Sequence, residues 1–175
     1  MIRIIEAQAL RGVDILTLHA TAFKDDRELL KETKRIIPCT SRGGTMMLEI
    51  LAKSGEENPY WTYFDDVLNI AQKYNLTLSL GTCFRPASVY DCANNNELYF
   101  IEMQRMGELV RRADAKGVGV IIEGVGHAPL NCMESIVKNT KEICSNAPYR
   151  VLTVATDIAL GYDHIASAIS SASAV

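Results

Sequence analysis

The stretch Val118–Pro129, VGVIIEGVGHAP, limits the folds open to this chain more than any other. Val118, Val120, Ile121 and Ile122 form an almost unbroken β-branched block, the pattern of a strand buried on both faces. Such strands belong to parallel sheets covered by helices on each side. The block stops at Glu123. Gly124 and Gly126 let the chain turn tightly, and His127 follows. An acid and an imidazole at the C-terminal end of a buried strand sit where α/β proteins gather their chemistry.

The same arrangement recurs along the chain. Ile15–Leu18 is a short apolar strand with His19 at its end. Arg35–Cys39 (RIIPC) is a second candidate, weakened by Pro38, which has no N–H for a ladder. It leads into Thr40-Ser41-Arg42-Gly43-Gly44. Leu76–Leu80 runs into Gly81-Thr82-Cys83-Phe84-Arg85-Pro86, and Arg150–Val154 delivers Thr156 and Asp157. Helical patterns lie between these runs. Ile2–Leu10 is closed by Gly12, and a polar helix capped by Asp25 or Asp26 reaches about Lys34. Further helices are expected over Thr45–Lys53, Tyr60–Tyr74, Asn96–Lys116 and Glu134–Cys144, and one opens at Gly161–His164. Strand and helix alternate five times, which predicts an α/β fold of parallel (β/α) units. A closed barrel of this kind takes eight strands in roughly 250 residues. Five strands therefore form an open sheet, or part of a TIM-type (β/α)8 barrel completed elsewhere.

Composition narrows the function. The 175 residues show no linker or compositional shift, so a single domain across 1–175 is expected. A net charge of -3 offers no electrostatic case for nucleic acid or an anionic membrane. The first apolar run is interrupted at Glu6 and Gln8, unlike a signal peptide, and no run is long enough to span a membrane. The cysteines, Cys39, Cys83, Cys92, Cys132 and Cys144, are odd in number and include no CxxC pair. They predict free thiols and a cytoplasmic location rather than a disulfide framework.

Taken singly, the candidate residues carry two readings each. Glu123 and His127 suit proton transfer or metal ligation, or a loop cap and a satisfied histidine. Ser41–Gly44, between a strand and a helix, offers amides for a phosphate or a plain glycine turn. Arg85 is an anion clamp or a solvated loop side chain. His19 and His164 read as structural when each is taken alone.

Four runs carry a family resemblance: SRGG (Ser41–Gly44), GTCFRPAS (Gly81–Ser88), IEGVGHAP (Ile122–Pro129) and TDIALGYDHIASAI (Thr156–Ile169). In order and spacing they resemble the phosphomethylpyrimidine synthase (ThiC) family of thiamine biosynthesis, which writes them SRGG, GDGLRPGS, IEGPGHVP and TDIAPGYDHITSAIG. The resemblance implies a (β/α)8 barrel, usually homodimeric, and a radical S-adenosylmethionine lyase. That enzyme converts 5-aminoimidazole ribonucleotide to hydroxymethylpyrimidine phosphate, releasing formate and carbon monoxide. It also implies S-adenosylmethionine, a 4Fe-4S cluster on a C-terminal cysteine motif, and a zinc or iron ion on two histidines. Carried over by position, the nucleotide contacts are His19, Ser41, Arg42, Gly43, Thr82, Cys83, Phe84, Arg85 and Glu123. Arg150 aligns with a tyrosine of the family, Glu123 is the catalytic candidate, and His127 is the first metal histidine.

Departures from the pattern are Thr82 for aspartate, Cys83 for glycine, and Val125 and Leu160 for proline. The second metal histidine and the cluster cysteines have no counterpart in the sequence, and the family's first strands precede its start. The expected partners are thus a small nucleotide and either a second copy or a complementary chain that completes the barrel. Two further readings stay open: a 5-hydroxybenzimidazole synthase on the same scaffold, and a non-catalytic nucleotide-binding subunit.

Overall fold

A computed structural model describes residues 1–145 and 147–150. Four strands, β1 (Ile15–Leu18), β2 (Thr77–Leu80), β3 (Val120–Glu123) and β4 (Tyr149–Arg150), form one sheet in that order. Every pairing is parallel. Around it lie α1 (Ile2–Leu10), α2 (Asp26–Glu32), α3 (Arg42–Ser54), α4 (Pro59–Thr62), α5 (Phe64–Tyr74), α6 (Val89–Asn94), α7 (Glu97–Ala115) and α8 (Leu130–Ile143). The α/β class and the parallel sheet are as expected.

The expected pattern of burial holds at the centre of the sheet. Leu78, Leu80 and Ile122 are fully enclosed, with Phe64, Val67 and Leu68 of α5 and Met103, Met106, Leu109 and Val110 of α7 packed in the same core. Each such side chain contributes roughly 2 kcal/mol by leaving water. β1 differs: Ile15 is 54% exposed, because β2 is its one neighbour among the described residues.

Other expectations are corrected or refined. Arg35–Cys39 is irregular, and β1 pairs directly with β2, so four strands replace five among the described residues. The backbone there is claimed by side chains: the Ile36 and Ile37 amides donate to the Asp91 carboxylate at 2.8 and 3.3 Å. Arg35 folds back onto the Pro38 carbonyl at 2.8 Å. No amide ladder survives that arrangement beside a proline. The helix expected over Tyr60–Tyr74 is broken at Tyr63 into α4 and α5. The short α6, capped by the Ser88 hydroxyl on the Asp91 amide, had no periodic signal in six residues. Of the two expected caps of α2, Asp25 holds the N-cap position without a side-chain hydrogen bond, while the Asp26 carboxylate accepts the Phe23 amide at 2.6 Å and pairs with both terminal guanidinium nitrogens of Arg105 at 2.7 and 2.8 Å.

Of the expected strand Arg150–Val154, the described part is β4. The run Thr156–Ile169, with Asp157 and His164, lies outside the described residues.

Candidate functional site

Parallel pairing brings all four strand C-termini to one edge of the sheet. His19 follows β1, the segment 81–85 follows β2, Glu123 ends β3, and Arg150 ends β4, with its Cα registered against that of Glu123. Ser41, Arg42 and Gly43 join them at the start of α3. The side chain of Arg150 is not among the described ones.

Ser41 is the node. It is buried, and its hydroxyl meets three groups at 3.2 Å: the Gly44 amide, an Arg85 guanidinium nitrogen and His19 Nε2. A hydroxyl has two acceptor sites and one proton. The amide and the guanidinium can only donate, so they take the acceptor sites and the proton goes to His19 Nε2. That fixes His19 as the neutral tautomer with its proton on Nδ1. The electrostatics agree: burial pushes the His19 pKa below its ordinary value and Arg85 lowers it further, against the pull of the nearby Glu123 carboxylate.

The ring of His19 fits because two residues beside it lack a Cβ. A Cβ on Gly43 would lie 2.5 Å from His19 Cε1, and one on Gly81 would lie 2.8 Å from Nε2. Two of the glycines in the sequence motifs are therefore walls of the histidine slot. Behind it, the buried Asn58 donates to the carbonyls of His19 and Ala22 at 3.0 and 2.9 Å, fixing the chain as it leaves β1.

Arg85 is half-buried. One of its nitrogens is held by Ser41, while its buried Nε has no hydrogen-bond partner among the described residues. A buried cationic donor left open costs free energy that an oxyanion would recover. The first turn of α3 begins beside it at Ser41, which caps the Gly44 amide and leaves those of Arg42 and Gly43 beyond the reach of any intrahelical carbonyl. Glu123 is 7% exposed and accepts the Ser79 hydroxyl at 3.3 Å. Thr82 joins the loops after β2 and β3 through the Gly124 carbonyl at 3.4 Å.

The residues expected from the sequence thus fall into two groups. His19, Arg42, Gly43, Arg85 and His127 keep exposed surface at this edge. Ser41, Thr82, Cys83, Phe84 and Glu123 are buried around them. Cys83 and Phe84 belong to a small apolar cluster with Ala22, Leu48, Leu51 and Leu98, and their amides are held by Glu102.

Sequence reasoning passed over Glu102, Arg35 and Asn58. Glu102 had a readable signal: it interrupts the apolar stripe of α7 between Leu98 and Met106. Arg35 had none, since it stood at the head of an apparent strand.

The donor set does not fit an iron–sulfur cluster. All five cysteines are free, and no three His, Cys, Asp or Glu residues converge among the described residues. Burial pushes the thiols of Cys92 and Cys144 up to about 12 and raises that of Cys83 strongly, whereas cluster ligation needs thiolates. His127 likewise gains no second and third ligand among the described residues.

The chain is similar to known proteins along its length. The family model described as the Radical SAM ThiC family matches residues 1–175. Among curated relatives, the phosphomethylpyrimidine synthase of Carboxydothermus hydrogenoformans is 43% identical over 170 residues, 97% of this chain and 39% of the relative. That of Thermodesulfovibrio yellowstonii is 44% identical over 170 residues, with the same two shares. That of Methanocaldococcus jannaschii is 42% identical over 173 residues, 98% of this chain and 40% of the relative. The chain thus spans about two fifths of the length of the relatives it matches. Among the described residues, no helix is long and apolar enough to cross a membrane.

Proposed function

This chain belongs to the Radical SAM ThiC family, and from that premise we propose that its strand ends form the nucleotide-binding side of a phosphomethylpyrimidine synthase. The substrate is 5-aminoimidazole ribonucleotide, and the four parallel strands are part of a (β/α)8 barrel. Arg85 carries this reading. Its buried Nε, without a hydrogen-bond partner among the described residues, lies beside the opening turn of α3 at the edge where the sheet collects its polar residues, and would suit an anion there.

The residues divide the work of binding. Arg85 and the Arg42 and Gly43 amides at the start of α3 take the phosphate. His19, held neutral by Ser41, offers an Nδ1–H donor and an uncharged face. Glu123 supplies an acceptor carboxylate for the N–H groups of the aminoimidazole, and its burial keeps that contact away from water. S-adenosylmethionine on a 4Fe-4S cluster supplies radical chemistry in a family of this name. The described cysteines do not hold such a cluster, so no step is assigned to them.

Calorimetric titration with the ribonucleotide and with its dephosphorylated riboside tests the reading. The nucleotide should bind at least about tenfold more tightly, the advantage of a charge-assisted contact. Equal affinity for both would remove the phosphate from the site.

A further inference from the structure

Two buried charged side chains that the binding site does not use close on one stretch of backbone after β2. Glu102, on the apolar face of α7, is fully enclosed. One carboxylate oxygen accepts the Cys83 amide at 2.6 Å and the Thr21 hydroxyl at 2.5 Å, and the other accepts the Phe84 amide at 2.9 Å. On the carbonyl side Arg35, 6% exposed, donates to Phe84 O at 2.7 Å. Its other bonds go to the carbonyls of Pro38 and Asn95, both at 2.8 Å, and to Asn96 Oδ1 at 3.5 Å. Both polar groups of the Phe84 backbone are therefore held by buried ionisable side chains; burial pushes the Glu102 carboxyl above its usual range, and the three donors facing it pull it back down. Arg85 is the next residue; its carbonyl accepts the Thr40 amide at 3.1 Å, and its guanidinium reaches Ser41.

A carboxylate buried on a helix face is costly, and an apolar residue would pack α7 at least as well. What the charge achieves here is local: it pins the two amides immediately before Arg85 and ties the loop after β1, through Thr21, to the loop after β2. We propose that Glu102 is a positioning residue, which together with Arg35 sets the course of the Cys83–Phe84 backbone and so holds the Arg85 guanidinium at its anion position. The role rests on the anion-binding reading of Arg85 given above.

A double-mutant cycle of Glu102→Gln and Arg85→Ala in the full chain, titrated with 5-aminoimidazole ribonucleotide, tests this. The glutamine places a donor where the carboxylate accepted. Glu102→Gln should weaken binding about tenfold when Arg85 is present and less than about twofold in the Arg85→Ala background. Equal losses in both backgrounds, the signature of a merely structural role, overturn the proposal. So does a folded Glu102→Gln chain that binds like the parent.

A second readout needs no ligand. Arg85 pushes the His19 pKa down. NMR titration of His19 should therefore show a rise in Glu102→Gln relative to the parent, and none in the double variant relative to Arg85→Ala alone. If the parent chain does not bind the nucleotide, the functional reading fails, and this titration alone decides the positioning role: an unchanged His19 overturns it. If Glu102→Gln does not fold, Arg35→Lys takes its place in the cycle with the same expectations, since it keeps the charge and loses the fork that spans three carbonyls.

Discussion

The Ser41 hydroxyl is both the N-cap of α3 and the hub of the site. Its donor and acceptor inventory leaves His19 one protonation state, and this makes a pH dependence with a definite sign. The folded His19 pKa lies below its ordinary value of 6.5, mainly through burial. Between that lowered value and 6.5 the unfolded chain binds more protons than the folded one, so folding stability rises with pH across this window. Urea unfolding of the parent and of His19→Asn, at several points between about pH 5 and 7, measures the difference directly. The parent should gain stability with pH relative to the variant; a constant difference would show that His19 titrates alike in both states.

At the scale of elements, the start of α3 packs against the loop after β2 so closely that Gly44 has no room for a side chain. A Cβ there would lie 2.5 Å from the Cα of Cys83. Alanine is the better helix former by about 1 kcal/mol, but a backbone clash of this depth outweighs it. Gly44→Ala should destabilise the chain by about 1–3 kcal/mol, read from its urea midpoint; a stabilised variant would contradict the packing.

Much of this level was legible. The β-branched block before Glu123 reported the central strand, and apolar spacing reported α5 and α7. His19, Thr82, Arg85 and Glu123 lie at one edge as their strand-end positions predicted; Ser41 and Arg42 reach it without the strand expected before them, and Thr156 and Asp157 lie outside the described residues. RIIPC misled because composition cannot show that a distant Asp91 takes two of its amides. The clamp on Phe84 was hidden for a related reason. It joins residues far apart in the chain, and only one of them, Glu102 in an apolar stripe, looks out of place locally.

For the molecule as a whole, β1 is the telling feature. It has one neighbour among the described residues and leaves Ile15 exposed, and Ile36 stands 71% exposed. A strand edge with apolar flanks invites pairing. In the barrel proposed above, that edge would pair with a further strand. Sedimentation of the 175-residue chain should therefore show concentration-dependent association, and a monomer at every concentration would count against an open edge.

The claim on which the rest depends is that the strand ends bind a ribonucleotide through Arg85 and Glu123. Calorimetric titration of the chain with 5-aminoimidazole ribonucleotide, beside Arg85→Ala and Glu123→Ala, addresses it most directly. Saturable one-site binding, weakened by about tenfold or more by each substitution, is the expected result. A folded parent chain that takes up no nucleotide, or variants that bind as well as the parent, would contradict it.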